Sequence, residues 1–85
     1  MTNFTTLETK FLEAASQEAY GGLLFVDDIN RDDIEPAQKS GIVSSLVQKS
    51  VAIVAEGMIA FWDADEGDFS YEVTKDLVKR YLASW

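Results

Sequence analysis

Phe25-Val26-Asp27-Asp28-Ile29-Asn30-Arg31-Asp32-Asp33-Ile34-Glu35-Pro36-Ala37-Gln38-Lys39-Ser40-Gly41-Ile42-Val43-Ser44-Ser45-Leu46-Val47-Gln48-Lys49-Ser50-Val51 carries the strongest pattern in the chain. It opens on the end of a short apolar run, Leu23 to Val26, that reads as one short strand. Asp27 and Asp28 then offer an N-cap and early-turn acids for a short second helix through about Ile34, with Ile29 and Ile34 inward. Glu35-Pro36 breaks that pattern, and Pro36 is placed as the first residue of a third helix running to about Lys49. Ile42, Val43, Leu46 and Val47 give this helix its apolar side, while Ala37, Gly41, Ser44, Ser45 and Gln48 cluster opposite. Lys39 falls inside the apolar arc and reads as a snorkelling side chain.

Working outward, Phe4, Leu7, Phe11, Ala15 and Ala19 recur at helical spacing before this stretch, with Leu12 widening the stripe. Thr5 and Glu8 have the spacing of a capping box, and Gly21-Gly22 closes the helix. After the stretch, Val51 to Ala55 and Met58 to Trp62 read as strands joined by a turn at Glu56-Gly57. Asp63 to Asp68 is an acidic loop. Phe69, Tyr71 and Val73 alternate with polar residues as in a half-buried strand. Thr74 caps a last helix with Leu77, Val78, Tyr81, Leu82 and Trp85 on one face.

The order of elements, and the segment Ser40-Gly41-Ile42-Val43-Ser44-Ser45-Leu46-Val47-Gln48-Lys49-Ser50-Val51 above all, resembles the winged helix-turn-helix of MarR-like regulators. The resemblance of pattern covers nearly the whole chain. It implies an α+β fold: three helices, a small antiparallel β-sheet wing and a C-terminal helix, in one domain spanning residues 1–85. Six residues depart from the pattern. Ser50 stands where the family often has Gly, Lys39 where an apolar residue is usual, and Asp63, Asp65, Glu66 and Asp68 where DNA-binding relatives often carry Arg or Lys.

Composition limits the chemistry. The 85 residues hold 7 Lys+Arg against 15 Asp+Glu, a net charge of -8 that excludes non-specific polyanion binding. With no Cys and no His, the disulfides, thiolate and imidazole chemistry, and Cys- or His-ligated metal sites all fall away. Nothing in the sequence places two carboxylates across a pocket, so an enzyme is not expected. Counted as an EF-hand from Asp63, the acidic loop has the wrong residue at its fifth, sixth and twelfth positions, so no metal site or other cofactor is implied. The N-terminus lacks a basic, then apolar, pattern, and no run of 18 apolar residues occurs. The expectation is a cytoplasmic protein with no membrane segment and no evident small-molecule ligand.

The charge is unevenly spread. Residues 37–55 contain Lys39 and Lys49 and no acid, whereas residues 1–36 hold eight acids against two bases. The first functional expectation is therefore a transcription regulator that binds double-stranded DNA sequence-specifically. Its third helix would enter the major groove with Gln38, Lys39, Gly41, Ser44, Ser45, Gln48 and Lys49 as the reading and phosphate-contacting residues. A homo-oligomer is expected to assist, through aromatic residues Phe4, Phe11, Tyr81 and Trp85 on the terminal helices. The alternative is an acidic adaptor or inhibitor, in one version a nucleic-acid mimic. It would bind a basic protein through Asp63, Asp65, Glu66 and Asp68, with Trp62, Tyr81 and Trp85 as anchors.

Overall fold

Helix α1 (Thr6–Glu18) starts where the sequence provides its cap. The Thr5 hydroxyl accepts the Glu8 amide and the Glu8 carboxylate accepts the Thr5 amide, a complete capping box. The computed structural model describes residues 3–83, so the expected helical position of Trp85 lies outside the described residues. After α1 come strand β1 (Leu24–Phe25), helix α2 (Pro36–Gln48), strands β2 (Ala52–Ala55), β3 (Met58–Asp63) and β4 (Asp68–Ser70), and helix α3 (Lys75–Leu82). This is a small α+β domain.

The expected second helix does not form. Val26–Asp28 makes one 3-10 turn, and residues 29–35 are non-helical. Short polar side chains here compete for the backbone: the Asn30 amide group donates to the Asp27 carbonyl. Glu35, preceding a proline, is extended. Ile29 and Ile34 are buried as expected, but as loop anchors rather than as one side of a helix. The described residues thus hold three α-helices, α3 included, where four were expected.

Helix α2 begins at Pro36, as the sequence indicates, and ends in a Schellman closure. The Val51 amide donates to the Leu46 carbonyl and the Ser50 amide to the Val47 carbonyl. Ser50 takes φ 61°, the left-handed conformation that glycine adopts most cheaply. Leu46 and Val51, the apolar pair that accompanies such a closure, are both buried. A two-residue turn follows β2: Glu56 and Gly57 have φ 53° and 80°, the sign pattern that matches the right-handed strand twist.

All four strands form one antiparallel sheet with β3 in the middle. β2 lies along one edge, while β1 and β4 lie end to end along the other. The register pairs Leu24 with Ile59 and Ala52 with Phe61, so these four side chains share the inner face. They join Phe11, Leu12 and Ala15 of α1, Ile42 and Leu46 of α2, and Leu77 and Val78 of α3 in one core. Helix α1 packs most extensively on α3, and Ala14, Ala15 and Ala19 keep its buried surface low. No helix is long and apolar enough to cross a membrane among the described residues.

Candidate functional site

Glu8 organises the side of α2 that the DNA-reading expectation relied on. Its side chain lies in the apolar arc of α1 and is 2% exposed. One carboxylate oxygen accepts the Ser45 hydroxyl at 2.7 Å, and the other accepts the Thr5 amide and the Lys49 ammonium. Lys49 also donates to the Asn3 carbonyl at 2.9 Å and stands 5.6 Å from the Phe4 ring centroid. Burial pushes the Glu8 carboxyl pKa up. The hydrogen bonds from Lys49, Thr5 and Ser45 outweigh it and hold the group below the ordinary glutamate value. The group is therefore a charged internal clamp between α1 and α2. Sequence reasoning assigned Glu8 only to the cap. Its position between Phe4 and the Phe11-Leu12 pair was the available signal that a charge would be buried there.

The clamp divides the expected reading residues. Ser45 and Lys49 face inward on Glu8. Lys39 is likewise engaged, donating to Asn30 Oδ1 at 2.9 Å and to the Val26 carbonyl at 3.4 Å. Its stem lines an open apolar groove with Val26, Pro36, Val43 and Val54. Gln38 is exposed, but its Oε1 accepts the Glu35 amide. Gly41, Ser44 and Gln48 remain exposed on α2, and Ser44 and Gln48 make no side-chain hydrogen bond among the described residues. The outward surface of α2 therefore presents neutral groups.

The acidic turn joining β3 to β4 is built from local bonds. Asp63 Oδ1 accepts the Asp65 amide, the Gly67 amide donates to the Asp63 carbonyl, and Gly67 has φ 69°. Arg80 of α3 reaches Asp65 at 2.8 Å and Asp63 at 3.7 Å. The Asp65 hydrogen bond raises the guanidinium pKa further. Glu66 and Asp68 are exposed without a cation partner among the described residues.

Of the expected anchors, Trp62 is 37% exposed and meets the Phe69 ring edge to face, with centroids 5.2 Å apart. Tyr81 is a strut instead: its hydroxyl donates to the Trp62 carbonyl, and its ring packs on Phe4 and Phe61. Burial and the nearby Asp63 raise its pKa above the ordinary tyrosine value. Phe11, expected at a dimer seam, is fully buried in the core. Trp85 is outside the described residues.

Three of the remaining cations, Lys10, Arg31 and Lys75, are also held. Lys10 and Arg31 bind Asp33, keeping its carboxyl below the usual aspartate value, and Arg31 also reaches Glu13. Lys75 donates to the Ser16 and Gln17 carbonyls. Among the described residues, Lys79 alone of the lysines and arginines has no polar partner. Compared with protein families, with characterised proteins and with solved structures, the chain matches none.

Proposed function

We propose that this chain is a small acidic protein-interaction module that binds a basic protein, built on a winged-helix arrangement. The arrangement is supported by the order of elements: α2 leads into the β2–β3 hairpin and β1 pairs with β3, with the helix expected before α2 reduced to the turn Val26–Asp28. The observation that carries the function is the disposition of charge. Lys39 and Lys49, the two cations of the would-be recognition helix and its cap, are both half-buried and engaged within the chain, Lys39 on the Asn30 and Val26 oxygens and Lys49 on the Asn3 carbonyl and the Glu8 carboxylate. Glu18, Asp27, Asp28, Asp32, Glu35, Glu56, Glu66, Asp68 and Glu72 have no cation partner among the described residues. Such a surface steers a positive partner and opposes a phosphate backbone. Reversing Asp65, Glu66 and Asp68 to Lys together is expected to abolish capture of a basic partner, and capture that survives the triple change rules out the acidic turn as its basis.

A second reading is favoured by one observation: Gly41, Ser44 and Gln48 form an exposed polar strip in a segment without acids. Under it, α2 reads a duplex. Ser44→Ala with Gln48→Ala would then weaken binding to a selected duplex by about 1–3 kcal/mol per lost base contact. Failure of a duplex selection at low salt removes this reading.

A further inference from the structure

Met58-Ile59-Ala60-Phe61-Trp62, most of the central strand, has no polar residue at any position, so both faces of the sheet are apolar along it. Strand alternation and the pairs Phe25–Met58, Ile53–Ala60 and Trp62–Phe69 gather these six side chains on the face opposite Ile59 and Phe61. None of the six belongs to the core cluster or packs against it. Ala60 is nevertheless inaccessible, so its neighbours on this face close over it. Phe25 is 42% exposed at one end and Trp62 37% at the other. The three helices share the core of the inner face. Sheets apolar on both faces are ordinarily covered on both, and an exposed apolar face of this kind marks a docking surface.

Charge selects the occupant. Residues 50–74, which include three of the four strands, contain no Lys or Arg and hold Glu56, Asp63, Asp65, Glu66, Asp68 and Glu72. Asp27 and Asp28 follow β1. A second copy would set these acids against their own equivalents, whereas a basic segment would meet them favourably. We infer that this sheet face docks an amphipathic helix of a basic partner. Its apolar side lies on Phe25, Met58, Trp62 and Phe69, and its Lys and Arg side chains flank it toward the acidic turns. The inference rests on the protein-interaction reading above and adds the surface and the partner's chemistry.

The test is an amide-resolved NMR titration of the full chain with an amphipathic Leu/Lys peptide of about 18 residues, five helical turns. A scrambled peptide of the same composition, without an apolar face, is the control. The expected result is shifts in β1, β3 and β4, with the scrambled peptide about tenfold weaker or worse. Phe25→Ser and Trp62→Ser, each retaining the native spectrum, are expected to weaken binding to a similar degree. If Trp62→Ser unfolds the chain, Phe25→Ser and the shift map of the unaltered chain decide. Equal binding of both peptides, with shifts confined to residues 63–68, overturns the sheet-face site and leaves the basic-partner reading standing. Binding of neither peptide overturns both. Concentration-dependent self-association with shifts on this same face also overturns the inference, because the occupant is then a second copy.

Discussion

Replacing Glu8 by Ala removes the side chain that, among the described residues, joins the first turn of α1 to the last turn of α2. Three donors lose their partner: the Thr5 amide, the Ser45 hydroxyl and the Lys49 ammonium. Loss of the reciprocal cap costs about 1 kcal/mol. Removing one member of a buried ion pair costs about 3–5 kcal/mol when the other is stranded. Lys49 is not fully stranded, because its side chain is 28% exposed and keeps the Asn3 carbonyl. The expected total is therefore about 3 kcal/mol, near the lower end of that range. For a domain of this size that corresponds to a fall of about 12–24 °C in Tm. A double-mutant cycle with Lys49→Met, read by urea unfolding, separates the pair from the cap. The cycle is expected to return a coupling of about 1–2 kcal/mol. Replacing both residues with Leu and Met removes the stranded charge but still leaves the Thr5 amide and the Ser45 hydroxyl without their acceptor, so the expected cost falls to about that of the cap, about 1 kcal/mol. A Glu8→Ala cost below about 1 kcal/mol, or additive single mutants, would refute the clamp.

The remaining stability predictions use simpler measurements. The Glu8 pKa is lowered in the folded chain, so its contribution is fully present above the ordinary glutamate pKa and is lost as pH falls through the folded value; urea midpoints across that acid range should fall more steeply for the parent chain than for Glu8→Gln. Ser50→Gly relieves a left-handed serine at the end of α2 and should raise stability by about 1 kcal/mol, seen as a higher urea midpoint with unchanged slope. Glu56→Asn places a residue that favours positive φ in the β2–β3 turn and should add about 0.5–1 kcal/mol by thermal unfolding.

The legible parts of this fold are those where local chemistry and tertiary packing agree. Thr5 and Glu8 announce the start of α1, Pro36 that of α2 and Thr74 that of α3. Thr5 with Glu8 and Thr74 do so because the cap satisfies amides that the helix itself leaves open, and Pro36 because its fixed φ suits the first turn and it has no amide to satisfy. The Glu56-Gly57 turn is legible for the same reason. The segment after Val26 is not: Ile29 and Ile34 suit a helix and a looped pair of anchors equally, and the balance is set by Asn30 and by the proline at 36. The site was legible in residue type and not in direction. Ser44, Ser45, Gln48 and Lys49 lie on one short helix, yet whether a side chain meets solvent or Glu8 depends on where α1 crosses it, 37 to 41 positions earlier in the chain. The bare sheet face left a trace in the sequence, the unbroken apolar run of β3, but its meaning needed the register that brings Phe25 and Phe69 beside it.

On the proposed reading the molecule meets its partner through negative charge and not through a basic recognition helix. The most direct measurement sets the Leu/Lys helix and a pool of randomised DNA duplexes against the same chain at 50 mM salt, a condition under which phosphate contacts are strong. The expected result is saturable peptide binding that weakens as salt rises and is lost on Asp65, Glu66 and Asp68 reversal, with no duplex retained. Recovery of a preferred duplex whose binding falls on Gln48→Ala, with no affinity for the basic helix, would contradict it.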